Sequence, residues 1–254
     1  MDRTLLPNGL VAGEAGALDR FRSWAEQRQG IHLAYVTGRH RSLAREVMAG
    51  YTLPEPDWLV CNVGTEIYPQ GADQPLEAWR QKLQAGFDAG AVRHWAERNL
   101  PRARPQEPTK QSSLKVSFYT DGSTSPVEEE DRLQRDLAEA GLDARVVASF
   151  DETEGVGLVD FLAPGSGKAR AVGFLREHLG VPMDRALFAG DSGNDADALL
   201  SGMGGILVGN ATDAVRDQIR AGLRRASGAR VYFAERPYTA GILEGMAHYG
   251  WEVP

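Results

Sequence analysis

The chain has 254 residues, 42% of them apolar and 25% charged, with 28 basic against 35 acidic side chains and a net charge of −7. This supports one large α/β domain or two small ones. The acidic balance argues against a nucleic-acid partner, which draws a basic patch, but leaves room for a phosphorylated substrate held by a few local cations. A single cysteine, Cys61, excludes an intrachain disulfide and a cysteine zinc cluster. No run approaches the ~18–20 apolar residues of a membrane span, and no signal-peptide pattern is visible, so a cytoplasmic location without membrane contact is expected.

In chain order, residues 17–29 place Leu18, Phe21, Trp24 and Ala25 at helical spacing, and Gly30 supplies the stop. "IHLAYVTGR" reads as a short strand ending in a polar turn, and "RSLAREVMAGY" as a helix. "DWLVCNVGTEIYP" reads as a buried strand, a glycine turn and a returning strand. This rhythm is that of a parallel, Rossmann-like sheet wrapped by helices. From about residue 76 to 160 it changes. A helix and a Pro/Arg/Gln-rich loop precede "LKVSFYT", another helix, "DARVVASF" and "GVGLVDFL". "KVSFYTD" alternates as an antiparallel strand with one solvated face does, which predicts an α+β insert. The first rhythm then resumes with "GKARAVGFLREHLG", "RALFAGD", "DADALLSGM", "GGILVGNA" and "DAVRDQIRAGLR".

Three stretches carry chemistry. In "ALFAGDSGNDADALL" a strand ends at Asp191, and Asp195 follows four residues later. Carboxylates beyond the carboxyl end of a strand are oxygen ligands of the kind Mg²⁺ takes. The plainer reading is a helix N-cap, which accounts for one acid and leaves the other. In "YVTGR", Thr37, Gly38 and Arg39 combine a hydroxyl, a flexible N–H and a cation where an anion can bind; the plain alternative is a strand-to-helix turn. "DFLAPGSGKARAV" is no phosphate-cradling P-loop, since Leu162 and Ala169 stand where glycine and Ser/Thr are required. Its Lys168 sits in a first helical turn, where a solvated surface charge is the ordinary case and an anion nearby the interesting one.

Taken in order, these stretches resemble the haloacid-dehalogenase-like (HAD) phosphatase superfamily. The insert resembles that superfamily's type IIB cap. "CNVGTEIY", "GDSGNDADALL", "VGNA" and "TAGILEGMAHYGW" look like the sucrose-phosphatase branch. The resemblance implies an α/β core over 1–75 and 165–254 with an α+β cap over 76–164. It also implies Mg²⁺-dependent hydrolysis of a sugar phosphate, sucrose 6-phosphate in the first place, through an aspartyl-phosphate. The catalytic roles would fall to Asp2, Thr37 and Lys168. Thr37, Gly38, Arg39 and Asn194 would bind the substrate. Asp2 (through its backbone carbonyl), Asp191 and Asp195 would serve the metal. Lys115, Tyr119 and Trp95 are weaker candidates for touching the sugar, each with a simpler reading as strand face or core aromatic.

"MDRTL" then fits the family's D-x-D-x-T stretch with Asp2 as its second acid and Thr4 as its threonine. The nucleophilic aspartate and the first core strand would lie ahead of Met1. A second register makes Asp2 the nucleophile, but it puts Leu6 where threonine belongs. A central strand of about five buried side chains, at ~1.5–3 kcal/mol each, is comparable to the stability of a whole domain. The expectation is therefore a slot in the sheet beside the strands ending at Thr37 and Asp191, and a chain without turnover of its own. The rival reading is a non-catalytic sugar-phosphate-binding or regulatory domain, acting on a sucrose-phosphate synthase.

Overall fold

The computed structural model describes residues 1–84, 86–151 and 154–253. The elements are α1 (Ala17–Gln27), β1 (Ala34–Val36), α2 (Arg41–Gly50), β2 (Trp58–Cys61), β3 (Glu66–Pro69), α3 (Glu77–Gln84), α4 (Ala89–Asn99), β4 (Arg104–Pro105), β5 (Lys115–Thr120), α5 (Pro126–Glu139), β6 (Arg145–Asp151), β7 (Val156–Leu162), α6 (Lys168–His178), β8 (Leu187–Gly190), α7 (Ala196–Leu199), β9 (Gly204–Leu207), α8 (Asp213–Leu223), β10 (Arg230–Phe233) and α9 (Tyr238–His248). Local chemistry sets several helix starts. The Ser125 hydroxyl accepts from Glu128 N ahead of Pro126 in α5, and the Thr212 hydroxyl accepts from Val215 N in α8. Among the described residues no helix is long and apolar enough to cross a membrane.

The core is an α/β arrangement, but its strands fall into two separate three-stranded sheets, β1-β2-β3 and β10-β9-β8. β1 pairs parallel with β2, β8 with β9 and β9 with β10, while β3 returns antiparallel along β2. Buried crossover-linked strands favour this parallel pairing. β1 and β8 are thus both edges, and they face each other across a cavity of about 1370 Å³ lined by Tyr35, Val36, Phe188, Ala189, Ile206 and Ile242, among others. The Met1 amino nitrogen closes one end of this slot, donating to Val36 O at 3.0 Å. The expected gap beside the strands that lead to Thr37 and Asp191 is therefore present among the described residues.

The insert forms a four-stranded antiparallel sheet in the order β4-β5-β7-β6. One face packs Val116, Phe118, Val146, Val159 and Phe161 against Val92 and Ala96 of α4 and Leu133 and Leu137 of α5. Trp95 meets Phe161 edge-on at 6.1 Å and is an aromatic of this cluster. The other face corrects the reading of β5 as half solvated. Ser117 is fully buried and Lys115 is 4% exposed. The loop before β5 folds over this face. Gln111 Oε1 accepts from Ser117 N at 2.9 Å, Gln111 Nε2 donates to Ser117 O at 2.9 Å, and Asp160 accepts the Ser117 hydroxyl. Lys115 Nζ lies 3.5 Å from Asp160, a buried pair rather than a solvated charge. Alternation along a strand reports polarity, and a polar face buried under its own loop reads the same as one in water.

Several contacts tie insert to core. Arg145 on β6 donates to Asp197 at 2.7 Å and to Ser166 O at 3.4 Å. Trp79 and Leu83 of α3, which lie within the predicted insert, pack in a cluster with Val60, Ile67, Ala171 and Leu175 of the core. α9 is buried along most of its length and covers Ile206 and Val208. β10 has no counterpart in the sequence reading; "ARVYF" is short, although Ser227 and Gly228 break the chain ahead of it.

Candidate active site

The polar groups gather at the carboxyl ends of β1 and β8, on either side of the slot. β8 ends at Gly190, and Asp191 is buried just beyond it. A side chain at Gly190 would meet Asp195 Cβ at 2.6 Å, so glycine is what lets the acidic turn fold back on the strand. Asp195 Oδ2 accepts the backbone N–H groups of Asp191 at 3.2 Å and Ser192 at 3.3 Å, and the Ser192 hydroxyl at 2.9 Å. This is a capping box. The capping alternative is therefore present for Asp195, and the other acid of the pair, Asp191, stands apart from it.

Lys168 opens α6 and points into the same turn. Its Nζ lies 2.8 Å from Asp195 Oδ1 and 3.0 Å from Asn194 Oδ1. The lysine and aspartate side chains are 10% and 5% exposed, which rules out the solvated-surface reading of Lys168. Burial would raise the Asp195 carboxyl, but the Lys168 charge and hydrogen bond outweigh it and hold the group below its usual range. Asn194 also accepts the Ser192 hydroxyl at 2.7 Å. Ser192, absent from the predicted site, thus anchors both Asn194 and Asp195; its signal was the S-x-x-D spacing of a capping box.

Asp191 has the opposite environment. Burial, reinforced by the Asp195 charge, pushes its carboxyl above the usual carboxylate range. It accepts the Thr4 hydroxyl, and Arg3 Nε lies 3.8 Å away. Thr4 is itself buried and also donates to Asp2 O at 3.3 Å. A buried carboxylate beside a backbone carbonyl held by the same threonine offers oxygen donors of the kind a hard cation takes. Asp191 and the Asp2 carbonyl are the oxygen groups that would hold a Mg²⁺ ion here. Asp195 is spent on Lys168 and the capping box and would act from outside that shell. Among the described residues no group of three or more His, Cys, Asp or Glu side chains is placed to hold a metal.

Asp2, Thr37, Gly38 and Arg39 face this turn from the β1 side. Thr37 is buried, its N–H donates to Val60 O at 2.9 Å, and its hydroxyl accepts from Arg39 N at 3.2 Å. Arg39 departs from the substrate-binding reading. Its guanidinium grips Asp2, with Nε–Oδ2 at 2.8 Å and Nη2–Oδ1 at 2.7 Å, and Asn8 adds a bond to Asp2 Oδ1 at 2.9 Å. Burial opposes ionisation of Asp2, but Arg39, the charged amino terminus and Asn8 prevail and bring its pKa to about 2. A carboxyl whose folded pKa is depressed stabilises the fold above its unfolded pKa, near 4, and loses that contribution as pH falls through about 2. Arg39→Gln is expected to raise the Asp2 titration, followed by carbon-detected NMR, and to flatten the stability lost between pH 4 and 2. An unchanged Asp2 titration would assign the depression to something other than Arg39.

The family model for sucrose-6F-phosphate phosphohydrolase matches residues 1–250. A Nitrosococcus oceani protein named as a HAD-like hydrolase is 37% identical over 262 residues, covering 98% of this chain and 70% of that protein. Sucrose-phosphatase 1 of Nicotiana tabacum is 31% identical over 229 residues, covering 89% of this chain and 52% of that one, so the chain spans about half the length of the plant relative. Among solved structures, the sucrose-phosphatase of Synechocystis sp. PCC6803, in complex with sucrose and phosphate, superposes with a TM-score of 0.80 at 29% identity, covering 98% of this chain and 99% of that one. With the acidic turn and the threonine loop at the carboxyl ends of β8 and β1, and the buried lysine at the start of α6 beside them, this chain belongs to the sucrose-6F-phosphate phosphohydrolase family of HAD-like hydrolases.

Proposed function

We propose that the chain carries the site of a Mg²⁺-dependent phosphatase of sugar phosphates, with sucrose 6-phosphate as substrate and residues 76–164 as the cap that closes over the sugar. The observation that carries this reading is the convergence of Lys168, Asn194 and Asp195 with Asp191, Thr4 and Asp2 at one mouth of the core. The Thr37 hydroxyl and the Gly38 N–H would bind phosphate oxygens. Lys168, paired with Asp195 at 2.8 Å, would face the negative charge of the transferring group. Mg²⁺, held by Asp191 and the Asp2 carbonyl, would supply electrostatic stabilisation of the phosphoryl oxygens. Asp2 would protonate the leaving sugar oxygen and later take a proton from water. The Arg39 grip holds Asp2 ionised, so protonation requires Arg39 to exchange Asp2 for the incoming phosphate, which restores its substrate-binding role. The slot between β1 and β8 has room for a further strand, and a carboxylate at the end of such a strand would face Thr37, Lys168 and Asp191. A cytoplasmic location and a sucrose-phosphate synthase as partner belong to the same reading.

Asp191→Asn tests the metal assignment. The amide keeps the shape and the Thr4 contact but removes the charge a hard cation needs. Isothermal titration with Mg²⁺ is expected to show affinity reduced by about 100-fold or more. The stabilisation by Mg²⁺ in thermal unfolding is expected to vanish with it. Equal Mg²⁺ binding by the variant and the parent chain would remove Asp191 from the site.

A further inference from the structure

Between β2 and β3 the backbone turns through three successive residues with positive φ: Asn62 at 49°, Val63 at 59° and Gly64 at 91°. Glycine accepts this conformation and asparagine tolerates it, but valine, branched at Cβ, is a genuine outlier there. Strain of this kind persists only where the surroundings over-determine it, and it clusters at functional sites. The surroundings here are specific. Val63 N donates to Thr37 O at 3.2 Å and Asn62 N to Arg39 O at 2.9 Å. A side chain at Gly64 would come within 2.4 Å of Gly167, immediately before Lys168, and Trp79 Nε1 donates to Gly64 O at 3.1 Å. The turn is therefore locked between the threonine loop and the lysine loop. The Val63 side chain reaches past the threonine loop, its Cγ2 lying 3.8 Å from where a Cβ on Gly38 would stand. It forms a small buried cluster with Val147 of β6 and Leu162 of β7, both on the insert. Val63 is thus the one residue of the turn whose backbone holds the Thr37 loop while its side chain holds the cap.

We propose that Val63 is a positioning residue through which docking of the cap sets the backbone of the Thr37–Arg39 loop. The proposal rests on the reading of that loop as the phosphate site. When the cap sheet is seated, Val147 and Leu162 press Val63 into its left-handed conformation, and its N–H and that of Asn62 fix the carbonyls of Thr37 and Arg39. When the cap lifts, that pressure is lost and the turn is free to relax, taking the loop with it. Cap closure and phosphate binding are then coupled by packing, without any polar contact between cap and phosphate.

Hydrogen exchange on the 254-residue chain tests this in a double-mutant cycle. Val147→Ala lies on the cap and makes no hydrogen bond to the loop. It is expected to speed exchange of the Asn62 and Val63 amides about tenfold, with smaller effects elsewhere in the core. Val63→Ala, which keeps the backbone but removes the contact, is expected to do the same. Adding Val147→Ala to Val63→Ala is expected to change nothing further at these amides. Val63→Ile, which keeps the branched contact, should hold the parent rates. Unchanged exchange in Val147→Ala, or effects that multiply in the double variant, would overturn the proposal. Affinity for inorganic phosphate, measured in parallel, separates the two readings. Intact coupling in a chain that binds no phosphate would count against the phosphate loop and not against Val63. A parent chain that binds phosphate, with Val63→Ala binding equally well, would count against Val63.

Discussion

Lys168→Ala is expected to lower the melting temperature by on the order of 10 °C as well as to abolish most of the turnover that an active form of the chain shows. The reason is burial. Lys168 and Asp195 form a 2.8 Å pair in which neither side chain is more than 10% exposed. Removing the lysine leaves a buried carboxylate without its cation, at a cost of about 3–5 kcal/mol. In a domain of this size each kcal/mol moves the midpoint by about 2–4 °C. Turnover is expected to fall by about 100- to 1000-fold, as when one preorganised charge is taken from a transition state. Asp195→Asn in the Lys168→Ala background separates the two effects. It removes the stranded charge, so most of the lost stability should return while turnover stays low. Differential scanning calorimetry on the single and double variants reads this directly. A single variant that melts with the parent chain would mean the pair is solvated after all. The pH dependence has a defined sign. Asp195 is held below its usual range, so its contribution is full above pH 4 or so and fades as the pH drops through its folded value.

Filling the slot is expected to have the largest effect on stability. β1 and β8 present unpaired edges to a cavity of about 1370 Å³. Edges of this kind invite pairing with other chains. An apolar segment of about seven residues placed ahead of Met1, long enough for one strand, would pair with both edges and bury its side chains on both faces. At ~1.5–3 kcal/mol for each buried apolar side chain, a rise of 10 °C or more in the melting temperature is expected. Light scattering should show less association, and exchange of the amides of β1 and β8 should slow. A segment of the same length with serine at the apolar positions should give none of these. If both segments act alike, the slot is not a strand site.

Much of the site was legible because its parts are local. G-D-S-G-N-D, T-G-R and the lysine after G-S-G each lie within a few residues, at places where strand ends and helix starts can be read from apolar runs and glycine. Of the acid pair, Asp195 takes the helix-capping role and pairs with Lys168, while the Asp191 carboxylate accepts from Thr4 instead. What escaped depends on contacts distant in sequence. Spacing cannot tell that Arg39 turns to Asp2, 37 residues away. Nor can it tell that Lys115 is buried against Asp160 instead of facing water, or that Lys168 is enclosed by a turn 27 residues on. The left-handed Val63 was invisible for a different reason. Valine argues locally for a strand, and only packing from both sides forces it into the turn.

Asp191, the Asp2 carbonyl, Thr37 and Lys168 are proposed to form a metal and phosphate site that a carboxylate at the end of a strand in the slot would complete. Phosphate release from sucrose 6-phosphate, with and without Mg²⁺, tests it most directly when two forms are assayed side by side: the 254-residue chain, and the same chain preceded by an apolar strand ending in aspartate one residue before Met1. The account predicts Mg²⁺-dependent turnover by the extended form alone, since without a covalent nucleophile only a residual rate from positioning and electrostatics survives. Robust Mg²⁺-dependent turnover by the 254-residue chain, or a folded extended chain that releases no phosphate, would contradict it.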